Sequence, residues 1–90
     1  MKELLNKIGI NQAGHFEKNG NYVIEFETSN EYNRAFSRLD RCELIEENPD
    51  ASAISLSASV VVYENDEFIL QLISDFDKDE YKLIVKEVED

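Results

Sequence analysis

Part-way along the chain the spacing of apolar residues changes period. From Ala53, the residues Ile54, Leu56, Ala58, Val60 and Val62 alternate with Ser55, Ser57, Ser59, Val61 and Tyr63, which is the period-two pattern of a β-strand. Asn65-Asp66 then predicts a tight turn into a strand over Phe68–Ile73, and Asp77-Lys78-Asp79-Glu80 a turn into another over Tyr81–Val88. Three consecutive strands with short turns form an antiparallel meander, and such a sheet needs one face covered.

The cover comes from earlier in the chain. Thr28-Ser29-Asn30-Glu31 has capping-box form, so a helix is expected to start there. At 100° per residue Tyr32, Ala35, Phe36 and Leu39 share one arc, while Arg34, Arg38 and Arg41 form a stripe opposite. Before this helix, Leu4, Leu5 and Ile8 predict a short helix stopping near Gly9. Asn19-Gly20 predicts a type I′ hairpin between His15–Lys18 and Asn21–Thr28, with Tyr22, Ile24 and Phe26 facing inward. Asn48-Pro49-Asp50 breaks the chain, and periodicity leaves Cys42 to Glu47 open between helix and strand. The expected fold is α+β: a short N-terminal helix and β-hairpin, then one amphipathic helix packed on a meander of three or more strands. At 90 residues without linker-like tracts, residues 1–90 make a single domain.

The charge is unevenly spread. The formal net charge is -11, yet residues 1–41 hold six acids and six bases. Residues 42–80 hold eleven acids and one base, Lys78. These acids gather at Glu43, Glu46, Glu47 and Asp50, at Glu64, Asp66 and Glu67, and at Asp75, Asp77, Asp79 and Glu80, all at predicted turns or ends. The 64–67 and 77–80 turns belong at opposite ends of a meander, and the 47–50 break is expected to share the latter's end. Such a surface repels nucleic acid and steers a cationic partner toward itself. In an extended chain Asp75, Asp77 and Asp79 would stand about 6.7 Å apart, a spacing of the same order as that of backbone phosphates. Tyr63, Phe68, Phe76 and Tyr81 lie close enough in sequence to supply apolar anchors. Val61, Tyr63, Ile69 and Ile73 are expected to form an apolar strip on the sheet face away from the helix.

Other chemistries find little support. Asp75-x-Asp77-x-Asp79 has the opening of a calcium loop, but its sixth position is Glu80 rather than Gly and its twelfth is Lys86 rather than Glu. Cys42 and His15 are each single, which suits neither a structural zinc site nor a nucleophile pair at any recognisable spacing; Cys42 is expected to be a buried apolar residue and His15 exposed. There is no Gly-rich phosphate loop, G-x-S-x-G or H-E-x-x-H, so no enzyme activity, catalytic residue, metal or cofactor is expected. The longest apolar run is Val60 to Tyr63, too short for a membrane span, and the opening residues lack a secretory pattern. A cytoplasmic location is expected.

In size, charge and missing catalytic motifs the chain resembles small phage-encoded inhibitors of host defence, such as anti-CRISPR, anti-restriction and other DNA-mimic proteins. It also resembles immunity proteins that neutralise basic nuclease toxins. Either resemblance implies a binding protein that blocks a basic, nucleic-acid-handling partner and touches neither nucleic acid nor membrane itself. The partner-binding residues would be Glu64, Asp66, Glu67, Asp75, Asp77, Asp79 and Glu80, with Tyr63 and Phe76 as anchors. The alternative is a structural or adaptor domain, dimeric through a strand edge, in which acidity serves solubility.

Overall fold

The capping box closes much as its residues dictate. In the computed structural model, which describes residues 2–88, Thr28 is extended (φ −132°) and its Oγ1 accepts from the Glu31 N–H at 3.2 Å. Glu31 Oε2 in turn accepts from the Glu27 N–H at 2.9 Å, one residue before the usual partner. Helix α2 (Ser29–Arg41) buries Tyr32, Ala35 and Leu39, with Phe36 packed alongside. It ends where Cys42 turns extended and its N–H bonds Leu39 O. Helix α1 (Lys2–Ile8) buries Leu4, Leu5 and Ile8 and stops at Gly9, whose φ of +94° is costly for any residue with a Cβ.

Seven strands follow in chain order: β1 (His15–Phe16), β2 (Tyr22–Phe26), β3 (Glu46–Glu47), β4 (Ala53–Ile54), β5 (Ala58–Glu64), β6 (Phe68–Asp75) and β7 (Glu80–Glu87). They form one antiparallel sheet in the order β1-β2-β7-β6-β5, with β3 and β4 both pairing along the outer side of β5. The expected meander is β5-β6-β7, and the N-terminal hairpin joins it through β2 against β7. Both helices pack on the same sheet face, over Tyr22, Ile24, Phe26, Val61, Tyr63, Phe68, Leu70, Leu72, Leu83 and Val85.

Three local expectations change. The Asn19-Gly20 turn is not type I′: Gly20 N–H bonds Glu17 O, Glu17 N–H bonds Asn21 O, and only Gly20 takes a positive φ, +88°. This is a three-residue loop with a glycine bulge, which spares Asn19 the left-handed conformation. Second, residues 53–63 are not one strand. The chain reverses at Ser55-Leu56-Ser57, where Ser55 N–H bonds Ala58 O and Ser55 Oγ accepts from Ala58 N–H. Third, the inward row of β5 is Ser59, Val61 and Tyr63, because the register pairs Tyr63 with Leu70 and Val61 with Leu72. Val61 and Tyr63 therefore leave the expected outer strip, and Val60 and Val62 join Ile69 and Ile73 there.

The Asn48-Pro49-Asp50 break is a bulge in the strand edge beside β5. Asn48 N–H bonds Val62 O, Ser52 Oγ accepts the Val62 N–H at 3.0 Å, and Asn48 Oδ1 accepts the N–H groups of Asp50 and Ala51. Pro49 sits on the bulged-out arc, where no ladder bond is asked of it.

Gly14 is needed for another reason. Its N–H donates to Tyr22 Oη at 3.0 Å, and a Cβ there would lie 2.6 Å from Val23 O and 2.7 Å from the Tyr22 ring. Around Gly20, by contrast, a Cβ would meet nothing within 4 Å. Gly14→Ala should therefore cost about 1–3 kcal/mol by overpacking, and Gly20→Ala about 1 kcal/mol from backbone conformation alone. Urea unfolding of the two variants checks this; a smaller loss at Gly14 than at Gly20 contradicts it.

Candidate functional site: the acidic ends of the sheet

The antiparallel meander sends successive turns to opposite ends, and the acidic groups go with them. Glu64, Asp66 and Glu67 lie at one end, where β5 passes into β6. Glu46 joins them by pairing with Glu64, and Asn65 Nδ2 reaches Leu44 O, which brings Glu43 alongside. The 47–50 break itself lies part-way along the edge of β5, where Asn48 N–H bonds Val62 O, so it does not share the 77–80 end as expected; the chain before it meets the 64–67 end. Asp75, Phe76, Asp77, Asp79 and Glu80 lie at the other end, separated from the first by the length of β6, about 24 Å for eight residues. The expected binding residues therefore form two surfaces, one at each end of the meander.

The 75–80 end gains residues that charge counting along the chain left in the neutral half. Strand β2 runs beside β7 and finishes there, so Glu25 and Glu27 join Asp79 and Glu80 around a shallow concavity of about 530 Å³, with His15 and Lys82 also on its wall. Glu25 is the direct cross-strand neighbour of Lys82.

Within the turn the carboxylates differ in their tasks. Asp75 Oδ1 accepts from the N–H groups of Asp77 and Lys78, both at 3.1 Å, and so holds the turn closed. Asp79 adopts a left-handed φ of 54°, and its Oδ1 accepts from the Tyr81 hydroxyl at 2.8 Å. That hydrogen bond, ahead of burial and the Asp79 charge, raises the Tyr81 pKa. These residues curl through a tight turn, so the extended phosphate-like spacing expected of Asp75, Asp77 and Asp79 does not form. Asp77 and Glu80 are exposed.

The second component is apolar. Phe76 is 52% exposed, and its N–H bonds Ser57 O at 2.8 Å, which ties the β6–β7 turn to the β4–β5 tip. On that tip Leu56 is fully exposed and Ile54 is 82% exposed. Single exposed aliphatics are ordinary, but three large side chains at one corner, bordered by Asp75 and Asp77, form a patch. Sequence reasoning found Phe76 and missed Ile54 and Leu56, because it counted them in a buried strand row. The available signal was the Ser-x-Ser flanking of Leu56, which suits a turn.

Tyr63 is no surface anchor. It is 2% exposed within the core, and its hydroxyl is buried without a hydrogen-bond partner among the described residues. Phe68 is buried as well, and Tyr81 is half-buried against Tyr32. Cys42 is a free, partly buried thiol packed against the core, and His15 is exposed. Among the described residues no group of three or more His, Cys, Asp or Glu is arranged to hold a metal ion, and no helix is long and apolar enough to cross a membrane.

Compared with protein-family models, with curated proteins and with solved structures, the chain finds no match in any of the three.

Burial, followed by the charges of Asp40 and Glu47, pushes the Tyr63 pKa from 10.0 up to about 12. The folded state thus holds this proton more tightly than the unfolded chain does. The corresponding stability is complete below about pH 10 and is lost as pH rises toward about 12. Tyr63→Phe removes an unpaired buried hydroxyl, so at neutral pH its stability should match or exceed the parent by up to about 1 kcal/mol. Between about pH 10 and 12 the advantage should widen; unfolding curves that stay parallel across that range would contradict the assignment.

Proposed function

We propose that the protein is a non-enzymatic binding protein that docks its 75–80 end onto a basic surface of a larger protein. The observation that carries this reading is the exposed trio Ile54, Leu56 and Phe76 beside the acidic rim of Asp75, Asp77, Asp79 and Glu80. An apolar centre supplies desolvated anchors, and the surrounding carboxylates steer encounter and select a cationic surface. Glu25 and Glu27 extend the negative field across the neighbouring strand.

The partner class that fits is a nucleic-acid-handling protein whose binding surface is already cationic, such as a defence nuclease, a DNA-binding protein or a nuclease toxin. Docking there excludes the nucleic acid and inhibits the partner. Its basis is complementary charge with apolar anchoring rather than copying of phosphate spacing. Glu64, Asp66 and Glu67, at the far end, add to long-range steering and lie outside the footprint.

Competition against duplex DNA for a panel of basic nucleases and DNA-binding proteins tests the proposal. An inhibited partner should be released by salt, with Kd weakening at least about tenfold between about 0.05 and 0.5 M. Leu56→Asp should weaken binding by about tenfold or more without altering thermal unfolding, and Asp77→Lys with Glu80→Lys should mainly slow association. Asp75 and Asp79 are kept, since each also holds the turn. Partners that retain full nucleic-acid binding in the complex would refute inhibition, and indifference to Leu56→Asp would refute the site.

A further inference from the structure

All three arginines of the chain sit on α2, at Arg34, Arg38 and Arg41. Spacings of four and three residues place them on one helix face, and all three are exposed. Where the end of α1 runs against that face two hollows open, and Arg38 lines both. The first, of about 200 Å³, lies between the segment after Gly9 and the Arg34 and Arg38 side chains. The second, of about 420 Å³, continues past Arg38 to Lys7, Arg41, Cys42 and Leu44, with Glu43 on its wall.

The first hollow is rich in donors and has no carboxylate on its wall. Arg34 and Arg38 offer guanidinium N–H groups, and Asn11 and Gln12 offer side-chain amides. Such a wall is unexpected in a chain of net charge -11. The carboxylates of α2 are committed elsewhere: Glu31 Oε2 accepts from the Glu27 N–H at 2.9 Å, and Asp40 acts on Tyr63 of β5. Among the described residues no carboxylate pairs with either guanidinium. Arg38 is also held in place. Its guanidinium lies against Gly9, where an added Cβ would overlap Nη1 and come within 3.4 Å of Cζ. A side chain already positioned loses less entropy when it takes up a ligand.

We infer that this groove binds a small phosphate ester, its phosphate in the first hollow between Arg34 and Arg38 and its organic part in the second. The planar guanidinium fork matches phosphate oxygens bidentately, which a lysine ammonium does not. Two such groups balance the charge of a phosphate monoester, about −1.5 to −2 at neutral pH. Lys7 and Arg41 add to the positive field, and Leu44, 48% exposed, offers apolar contact to the organic part. Together the hollows fall within the range of small-molecule sites, about 300–1,000 Å³. The anionic remainder of the molecule repels the same ligand, but at physiological salt that repulsion is screened beyond about 8 Å, whereas the guanidinium contacts are direct. Affinity is therefore modest, with a Kd of about 0.1–1 mM. The site does not depend on the function proposed above, because none of its residues belongs to the Ile54, Leu56 and Phe76 corner or its acidic rim.

Amide NMR shifts of the full chain, titrated with phenyl phosphate and separately with inorganic phosphate in about 0.05 M sodium chloride, test the inference. Phenyl phosphate should move the amides of Asn11, Gln12, Arg34 and Arg38 saturably, with a Kd below about 1 mM. Inorganic phosphate should move the same amides with at least about threefold weaker affinity, because it makes no use of the second hollow. Arg38→Gln should weaken phenyl phosphate at least about tenfold, and Arg38→Lys, which keeps the charge and loses the fork, at least about threefold. Arg34→Gln, which leaves the Gly9 contact intact, should weaken it at least about threefold. Circular dichroism and thermal unfolding of these variants should match the parent, since both arginines are exposed. Shifts that do not saturate by about 10 mM, or that fall on other residues, overturn the site. Indifference to Arg34→Gln and Arg38→Gln does so too, and equal affinity for the two probes overturns the place given to the organic part.

Discussion

The pairing of β5, β6 and β7 is the constraint on which everything else rests. Leu70, Leu72, Leu83 and Val85 are wholly buried on one side of these strands, and Val61 and Tyr63 lie directly opposite Leu72 and Leu70. A one-residue slip of any strand would move its whole row to the solvent face. The penalty for losing several leucine and valine side chains to water, about 1.5–3 kcal/mol each, is large against the whole stability of a small domain. The register is therefore firmly held, and with it the position of each turn.

That register distributes the charge. An up-and-down path must alternate its turns between ends, so acidic turns that are adjacent in sequence are separated in space. The opposite happens at β2, which arrives from the N-terminal half and finishes next to the start of β7. Carboxylates more than fifty residues apart, Glu25 and Glu80, thus share one concavity. The turns themselves use polar side chains as backbone substitutes: Asn48, Asn65 and Asp75 each accept two backbone N–H groups. Part of the acidity at turns is therefore structural, whereas Asp77 and Glu80 are exposed.

The legibility of the elements followed the locality of their causes. Helix α2 was readable because its cap and apolar arc both lie within one short segment, and α1 because Gly9 stops it. The β6–β7 hairpin was equally plain. Strand β5 was not, because Val60, Val61, Val62 and Tyr63 are apolar in both parities, so alternation does not choose which row faces inward. The choice belongs to Leu70 and Leu72 on the neighbouring strand. The same ambiguity displaced Tyr63 from a supposed anchor to the core and hid the exposure of Ile54 and Leu56.

What the sequence determined by itself was the menu of elements: two helices with their caps, a meander, acidic turns and an α+β architecture. These depend on hydrogen bonds and periodicities spanning a few residues. Only the tertiary structure decided which acids share an end, which aliphatics are left outside and which face of the sheet lies open. Those outcomes depend on strand register and on the arrival of β2 beside β7, contacts between residues far apart in the chain, whose energy no local pattern contains.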